Sequence, residues 1–385
     1  VTIVTNIEDL RILAKKRVPK MFYDYVDSGS WTESTYKANS EDFQKIKLRQ
    51  KVARNMEGRT VKKNMLGIEM AMPVAISPTG LTGMVHPDGE ILAARAISNF
   101  GCRYTLSTMS ICSVEDVAQA IAKPFWFQLY VMRKRDFMHS LIERAKQAGC
   151  EALVLTLDLQ MIGQRHKDIK NGLSVPPKPT IKNWLNLLTK QAWCWKMLKT
   201  KRRSFGNIIG HIKDVDDTSS LASWISQQFD PSLNWKDIEW IKQAWGGKLI
   251  VKGILDEEDA KIAADCGADA IIVSNHGGRQ LDGACSSIQI LPSIVEALKN
   301  STTEVWLDSG IRSGQDVLKA IALGAKGTMI GRAYLYGLGA LGEAGVTKCL
   351  EIIHNELDVS MAFCGLTDIN NVNKDILIAN TIPHI

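Results

Sequence analysis

The chain has 385 residues, of which 45% are hydrophobic and 23% charged, and a formal net charge of +6. This is ordinary soluble composition, long enough to bury a large core as one barrel or as two domains. No apolar run approaches the roughly 20 residues of a membrane span, and residues 1–10 show no basic segment followed by an apolar stretch, so neither a spanning helix nor a signal peptide is expected.

In chain order, residues 6–28 read as one or two helices (7–16 and 19–25), and residues 49–70 as a covering segment. Eight short, β-rich apolar runs follow at 73–77, 104–107, 125–130, 152–158, 249–252, 270–274, 305–308 and 327–330. Between them lie amphipathic stretches at 89–98, 114–121, 137–148, 257–266, 290–298 and 314–323. Near-continuous apolar strands alternating with helices predict parallel β structure covered on both sides. Eight such units point to a closed (β/α)8 TIM barrel, one α/β domain over residues 1–385 with an N-terminal helical segment. A doubly wound sheet is the alternative, but no G-x-G-x-x-G opens the first unit.

One unit is irregular. Strand four ends at Asp158 and strand five begins at Leu249; a helix over 233–244, capped by Ser232 or Asn234, leaves an insertion of about 159–231. Unstructured loops of that length are rare and usually functional. Within it, residues 182–203 carry seven basic side chains (Lys182, Lys190, Lys196, Lys199, Lys201, Arg202, Arg203) and no acidic one, the whole charge excess of the chain. On a helical wheel Trp184, Leu187, Leu188, Gln191, Trp195 and Leu198 fall near one face and Lys182, Asn186 and Lys190 on the other, with Trp193 and Met197 off the pattern. Such a composition suits a helix lying on an anionic bilayer. The alternatives are a helix packed on its own barrel or at a subunit contact, or a basic patch for RNA with tryptophans for stacking.

The eight cysteines have no C-x-x-C spacing and the seven histidines are dispersed, which argues against a metal site or a disulfide framework and for a reducing compartment. Polar residues instead collect where strands end: Ser107, Gln128, Tyr130, Thr156, Asp158, Lys252, Ser274, His276, Asp308 and Arg332. In a (β/α)8 barrel that end is the active-site face. The densest case is Ser274-Asn275-His276-Gly277-Gly278-Arg279-Gln280-Leu281-Asp282, directly after an apolar strand. Histidine moves protons near neutral pH, arginine binds a carboxylate with two parallel hydrogen bonds, and glycines let backbone approach a flat ligand. A base beside a carboxylate clamp suggests chemistry at the α-carbon of a small organic acid; a solvated strand-to-helix turn is the plainer reading. The last two units carry Asp308-Ser309-Gly310-Ile311-Arg312-Ser313-Gly314 and Gly331-Arg332, which suit a phosphate held by backbone N–H groups and cations.

Together with Leu13-Ala14-Lys15, Tyr23-Asp24-Tyr25 and Gly342-Glu343-Ala344-Gly345-Val346, these motifs resemble the FMN-dependent α-hydroxy-acid dehydrogenase/oxidase family over essentially the whole chain. The stretches 106–112, 234–241 and 252–256 are most similar to bacterial respiratory-chain-linked L-lactate dehydrogenases. The resemblance implies bound FMN and oxidation of an (S)-2-hydroxy acid, L-lactate foremost. Electrons would pass to a membrane quinone or cytochrome or, in an oxidase, to oxygen. By position it implies His276 as base, oriented by Asp158, with Arg279 and Arg165 holding the substrate carboxylate. Tyr130 would bond the substrate oxygen and Tyr25 the carboxylate. Lys252 would stand beside the flavin N1/C2 carbonyl, where a fixed cation favours the anionic reduced ring. Ser107, Gln128, Thr156 and Ser274 would line the flavin, Pro78-Thr79-Gly80 would pass against its ring, and Asp308, Gly310, Arg312, Gly331 and Arg332 would hold the ribityl chain and phosphate. A homo-oligomer on the cytoplasmic side of a bacterial inner membrane is expected, peripheral, with no metal and no nucleic-acid partner. Two departures stand out: Met109 where glycolate-oxidase-like members have Trp, which suits a slightly larger substrate, and Leu159-Gln160 where the family often has Thr-Pro or Met-Pro.

Overall fold

In the computed structural model, residues 3–173, 180–210 and 228–383 are described. The apolar runs form eight strands: β1 (Val74–Ile76), β2 (Thr105–Ser107), β3 (Trp126–Tyr130), β4 (Ala152–Thr156), β5 (Lys248–Ile254), β6 (Ala270–Val273), β7 (Glu304–Leu307) and β8 (Gly327–Ile330). Every residue of β1 to β4, β6 and β8 is buried, which is what strands covered on both faces require. All pairings are parallel, in the order β1-β8-β7-β6-β5-β4-β3-β2. Ile76 N donates to Arg103 O at 3.0 Å, so β1 meets the chain entering β2 and the ring closes. The (β/α)8 barrel expected from the eight-fold alternation is the fold observed. Inside it, Trp126 and Trp306 are fully buried and stacked with ring centroids 5.2 Å apart.

The helices read from the sequence form within a few residues of their expected bounds, and several start at a side-chain cap. Ser113 and Asn234 each accept from the third helical N–H in a capping box, and Asp256 and Ser313 cap the helices that follow β5 and β7. At the N-terminus α1 (Ile7–Arg17) and α2 (Lys20–Val26) appear as expected. A third helix, α3 (Ser34–Lys45), was not legible and lies across the strand ends. Residues 49–70 include a short antiparallel hairpin, Lys63–Met65 with Ile68–Met70. Two further helices, Arg332–Leu341 and Glu343–Phe363, complete the outer layer.

The insertion departs from the single helix drawn on the wheel. It contains α4 (His166–Lys170), α5 (Ile181–Leu188) and α6 (Gln191–Lys199), with the break at Thr189-Lys190. The break explains the residues that did not fit one wheel. Trp193 turns inward, its Nε1 donating to Met84 O at 3.1 Å and its ring 5.6 Å from Phe22, and Met197 is half-buried. Ile181, Trp184, Leu185, Leu188, Trp195 and Leu198 are each at least 60% exposed. Leu187, expected on the outer face, is half-buried, and Asn186 accepts from Lys20 N. Four of the seven basic residues bond to the protein itself: Lys190 Nζ donates to Lys16 O, Lys196 Nζ lies 3.1 Å from His86 Nε2, Arg202 bridges Asp88 (3.1 Å) and Asp116 (2.8 Å), and Arg203 caps the α6 carbonyls of Met197, Leu198 and Thr200. The parts of the insertion at 174–179 and 211–227 lie outside the described residues.

Candidate active site

The strand β6 ends in Ser274 and then turns sharply. His276 is held at φ +57°, and Gly277 and Gly278 at +68° and +71°. A left-handed non-glycine residue costs about 1 kcal/mol or more, so the surroundings must enforce it. They do: His276 N donates to Ser274 Oγ at 3.1 Å and Gly277 N to Ser309 Oγ at 3.0 Å. A Cβ on Gly278 would lie 2.5 Å from Tyr36 N, and one on Gly277 would lie 2.6 Å from an Arg332 nitrogen. The paired glycines thus serve close packing, Gly278 against the N-terminal segment and Gly277 against Arg332.

The turn aims the imidazole at the end of β4. His276 Nδ1 lies 2.8 Å from Asp158 Oδ1. A carboxylate only accepts, so Nδ1 carries the proton and Nε2 is left as the basic nitrogen. Burial pushes the His276 pKa below its ordinary 6.5, against the pull of Asp158. Burial alone would raise Asp158, but His276 and Lys252 outweigh it and hold the carboxyl below its usual value. The β5 strand makes room for this carboxylate by a bulge at Gly253 (φ +103°), where a Cβ would lie 2.7 Å from Asp158 Cβ and Cγ.

Beside the base, Lys252, Ser274, Ser77 and Asp308 form one buried network. Lys252 Nζ lies 2.8 Å from Ser274 Oγ and 3.1 Å from Asp308 Oδ2; Ser274 Oγ donates to Asp308 Oδ2 at 2.7 Å, and Ser77 Oγ to Asp308 Oδ1 at 2.5 Å. Burial works against the Asp308 charge, yet Lys252 and the two hydroxyls hold its pKa down to about 2. On the other side of the barrel mouth, Ser107 Oγ donates to Gln128 Oε1 at 3.0 Å. Gln128 Nε2 and Thr156 Oγ1 are buried with no hydrogen-bond partner among the described residues.

Two arginines close the site. Arg279 stacks on the Tyr25 ring, 4.5 Å from its centroid, and its Nη1 donates to the Tyr25 and Ser28 carbonyls. Arg165, brought in by the insertion, donates from Nε to Arg279 O at 3.3 Å and from Nη2 to Gln280 Oε1 at 3.1 Å. Burial, then Arg279, lowers the Arg165 pKa to about 10, which leaves it a cation at neutral pH. Arg165 thus stands beside Arg279, downstream of Leu159-Gln160. Tyr130 is buried with its ring edge-on to Phe229, and burial and Asp158 push its hydroxyl pKa up, so it remains a proton donor.

Residues expected at the phosphate end are less alike. Gly331 is roomy: a Cβ there would meet nothing nearer than Ser77 Cβ at 3.7 Å. Gly310 (φ +92°) has a packing reason of its own, since a Cβ would lie 1.9 Å from Asn39 O in α3. Arg332 spends Nε and Nη2 on the Val26 and Ser28 carbonyls, while Arg312 Nη1 donates to Ile311 O. Thr79 bonds Tyr334 and Thr82, and half-buried Gly80 sits against Met109, with Leu81 N donating to Met109 O at 3.0 Å.

Three supports had no role in the sequence reading. Gln280 Nε2 donates to Asp158 O (2.7 Å) and Met161 O (2.8 Å), tying the base turn to the insertion. Asp282 accepts from Thr32, Ser34 and Thr35. Asp27 accepts from Arg11, Tyr23, Tyr36 and Tyr336, fixing the carbonyls that hold Arg279 and Arg332. Gln280 and Asp282 lie in the same motif as His276, and their clustering was the available signal.

Comparison with known proteins agrees with this architecture. The chain is 43% identical over 382 residues to a protein of Caulobacter vibrioides named L-lactate dehydrogenase, covering 99% of both chains. It is 44% identical over 377 residues to one of the same name from Pseudomonas paraeruginosa, covering 98% of both. Among solved structures, a monotopic membrane protein, (S)-mandelate dehydrogenase, superposes with a TM-score of 0.93 at 36% identity, covering 98% of this chain and 100% of that one. A mandelate oxidase superposes at 0.81 with 32% identity, covering 96% and 97%. The family model described as FMN-dependent dehydrogenase matches residues 14–379, and the chain belongs to that family.

Proposed function

We propose that the protein oxidises L-lactate to pyruvate on bound FMN and passes the electrons to a membrane quinone or cytochrome. The observation that carries this reading is the His276–Asp158 couple set beside the Arg165–Arg279 pair, a base and a carboxylate clamp within one buried site. FMN, when bound, supplies the two-electron acceptor that no side chain provides. The residues fit it: Gln128 Nε2 and Thr156 Oγ1 are unpartnered polar atoms on adjacent strands, Lys252 is a fixed buried cation, and the space over Gly331 admits a group close to backbone. Ser107, Gln128, Thr156, Lys252 and Ser274 would hold the ring with Pro78, Thr79 and Gly80 against it. Asp308, Gly310, Arg312, Gly331 and Arg332 would hold the ribityl phosphate.

Arg279 and Arg165 hold the substrate carboxylate, Arg279 with its fork levelled on the Tyr25 ring. Tyr130 and Tyr25 direct hydroxyls to the substrate oxygen and carboxylate. His276 Nε2 takes the substrate proton, and Asp158 stabilises the resulting imidazolium. The relatives named L-lactate dehydrogenase and the Met109 side chain beside Gly80 support lactate over a smaller acid. Purified holoenzyme should be yellow and bleach anaerobically with L-lactate. His276→Gln should retain the yellow colour and lose turnover by several orders of magnitude; near-normal turnover would remove the mechanism. Peroxide yield with and without a quinone analogue separates the dehydrogenase from an oxygen-using oxidase.

A second reading concerns location. The outward side chains of α5 and α6, with Lys182 and Lys199 at their edges, support docking on an anionic bilayer. No helix among the described residues is long and apolar enough to cross a membrane. The structurally similar (S)-mandelate dehydrogenase is itself described as monotopic. A peripheral enzyme on the cytoplasmic face of an inner membrane would have its acceptor dissolved in the surface it rests on.

A further inference from the structure

The arginine pair has a third charged member that plays no part in the chemistry above. Asp168, on α4, is 8% exposed, and its Oδ2 lies 3.5 Å from Arg279 Nη2. Among the described residues neither Asp168 Oδ1 nor Arg279 Nη2 has a hydrogen-bond partner. Burial raises the Asp168 pKa above its ordinary value, and Arg279 followed by Arg165 opposes the rise only in part, so both arginines act on this carboxylate.

The carboxylate is also fixed in place. Lys167, its neighbour, bridges Glu33 at 3.0 Å and donates to Asp27 O at 3.1 Å, while Asn171 Nδ2 donates to Asp24 Oδ2 at 2.8 Å. α4 is thus fastened at both ends to α2 and the start of α3, which fixes the backbone that carries Asp168. The other charges near it are already paired: Lys167 with Glu33, and Asp24 with Lys20.

Charge balance then becomes informative. Around the substrate position stand Arg165, Arg279 and Lys252, against Asp158, Asp168 and Asp308, with His276 neutral. The side chains sum to zero. A monocarboxylate adds one negative charge, and the total stays at minus one when His276 takes the substrate proton, because that proton only moves within the site. A dicarboxylate would add a second negative charge with no cation to meet it, and unpaired buried charge is costly.

We propose that Asp168 is a specificity-determining counter-ion, which sets the subsite for monoanionic 2-hydroxy acids and rejects dianions. This rests on the reading that Arg165 and Arg279 hold the substrate carboxylate. Asp168→Asn removes the charge and keeps the shape. The measurement is the dissociation constant of the holoenzyme for malonate, a dianion, against propionate, a monoanion, at pH 8, from competition with L-lactate. A charge at this range in a protein interior is worth about tenfold or more, so the malonate-to-propionate affinity ratio should rise by about that factor in Asp168→Asn. Asp168→Ser should shift it in the same direction, and Asp168→Glu should keep the wild-type ratio. A ratio unchanged in both uncharged variants would overturn the proposal, because a merely structural carboxylate would weaken both anions alike. Arg279→Lys separates the two readings. If it leaves both affinities untouched, the arginine clamp is wrong; if it weakens both while Asp168→Asn leaves the ratio alone, only the counter-ion role is lost.

Discussion

The Lys252–Asp308 side of the site and the Arg165–Arg279 side are both charged and buried, yet they are built in opposite ways. The first is complete: each Asp308 oxygen has its own serine hydroxyl, and Lys252 reaches Ser274 and Asp308 within ordinary bonding distance. The second is incomplete, with Arg279 Nη2, Asp168 Oδ1 and Asp158 Oδ2 lacking partners among the described residues. A satisfied network fixes a field and resists change; unsatisfied polar atoms are retained where something else is to bond them. The difference divides the site into a scaffold that sets electrostatics and a surface that meets substrate.

If that division holds, the largest loss of turnover should come from a substitution at the boundary. Asp158→Asn leaves a hydrogen-bond partner for His276 but no charge to stabilise the imidazolium, and kcat should fall about 10³-fold or more, as when a buried carboxylate is removed from behind a histidine base. The flavin spectrum should be unchanged. A drop below tenfold would mean that Asp158 only orients the ring.

Breaking the scaffold should act on stability instead. Lys252→Met strands the Asp308 carboxylate, whose side chain is only 9% exposed, and unpairing a buried charge costs about 3–5 kcal/mol. The holoenzyme should unfold at visibly lower denaturant and lose flavin on dilution. Equal stability would show that Ser77 and Ser274 suffice to hold Asp308.

The pH dependence follows from His276. Its folded pKa lies below the ordinary 6.5 because of burial, so the neutral base persists through pH 7 and kcat/KM should fall only on an acid limb with a midpoint under that value. The linked stability has the same sign: it is fully present above pH 6.5 and lost as pH falls through the folded pKa, since the unfolded chain then binds the proton more readily. In Asp158→Asn the acid limb should move lower still, because Asp158 is what raises the pKa against burial. A limb that moves upward would contradict the assigned couple.

Much of this was legible before any coordinates. Eight near-continuous apolar strand runs alternating with helical stretches pointed to a covered parallel sheet, and His276, Arg279 and Lys252 lay at or just after the strand ends. The less legible parts share a cause. Gly253 and Gly310 are needed for what passes close to them, Asp158 and Asn39, and no local pattern records a distant neighbour. Asp27 and Asp168 read as ordinary helix-surface carboxylates until α2 and α4 are folded onto the arginines. α3 has few apolar residues, its burial coming from Thr35, Asn39, Asp42 and Phe43, so hydrophobic periodicity missed it.

The insertion offers a comparison within itself, and the prediction with the smallest effect on catalysis. Its inner face is held to the barrel by Trp193, Arg202 and Asn207, the last donating to Ser107 O at 3.2 Å and Ser110 Oγ at 2.9 Å beside Met109. Its outer face presents Trp184, Leu188, Trp195 and Leu198 without burying them. Deleting the whole segment would therefore disturb the site as well as the surface, and point substitutions on the outer face are the cleaner probe. Trp184→Glu combined with Leu188→Glu removes two apolar side chains of α5 and adds two negative charges. Each apolar side chain withdrawn from a bilayer interface forfeits about 1.5–3 kcal/mol at full burial, and each acidic residue is repelled by anionic lipid. Sedimentation with anionic vesicles at low salt should be lost in the double variant, while L-lactate turnover with a soluble acceptor stays within about twofold of wild type, as for surface changes away from the site. Retained sedimentation would assign this face to another partner, and a large loss of turnover would show that α5 is coupled to the site through Asn183 and Asn171, whose bond at 2.6 Å joins it to the end of α4.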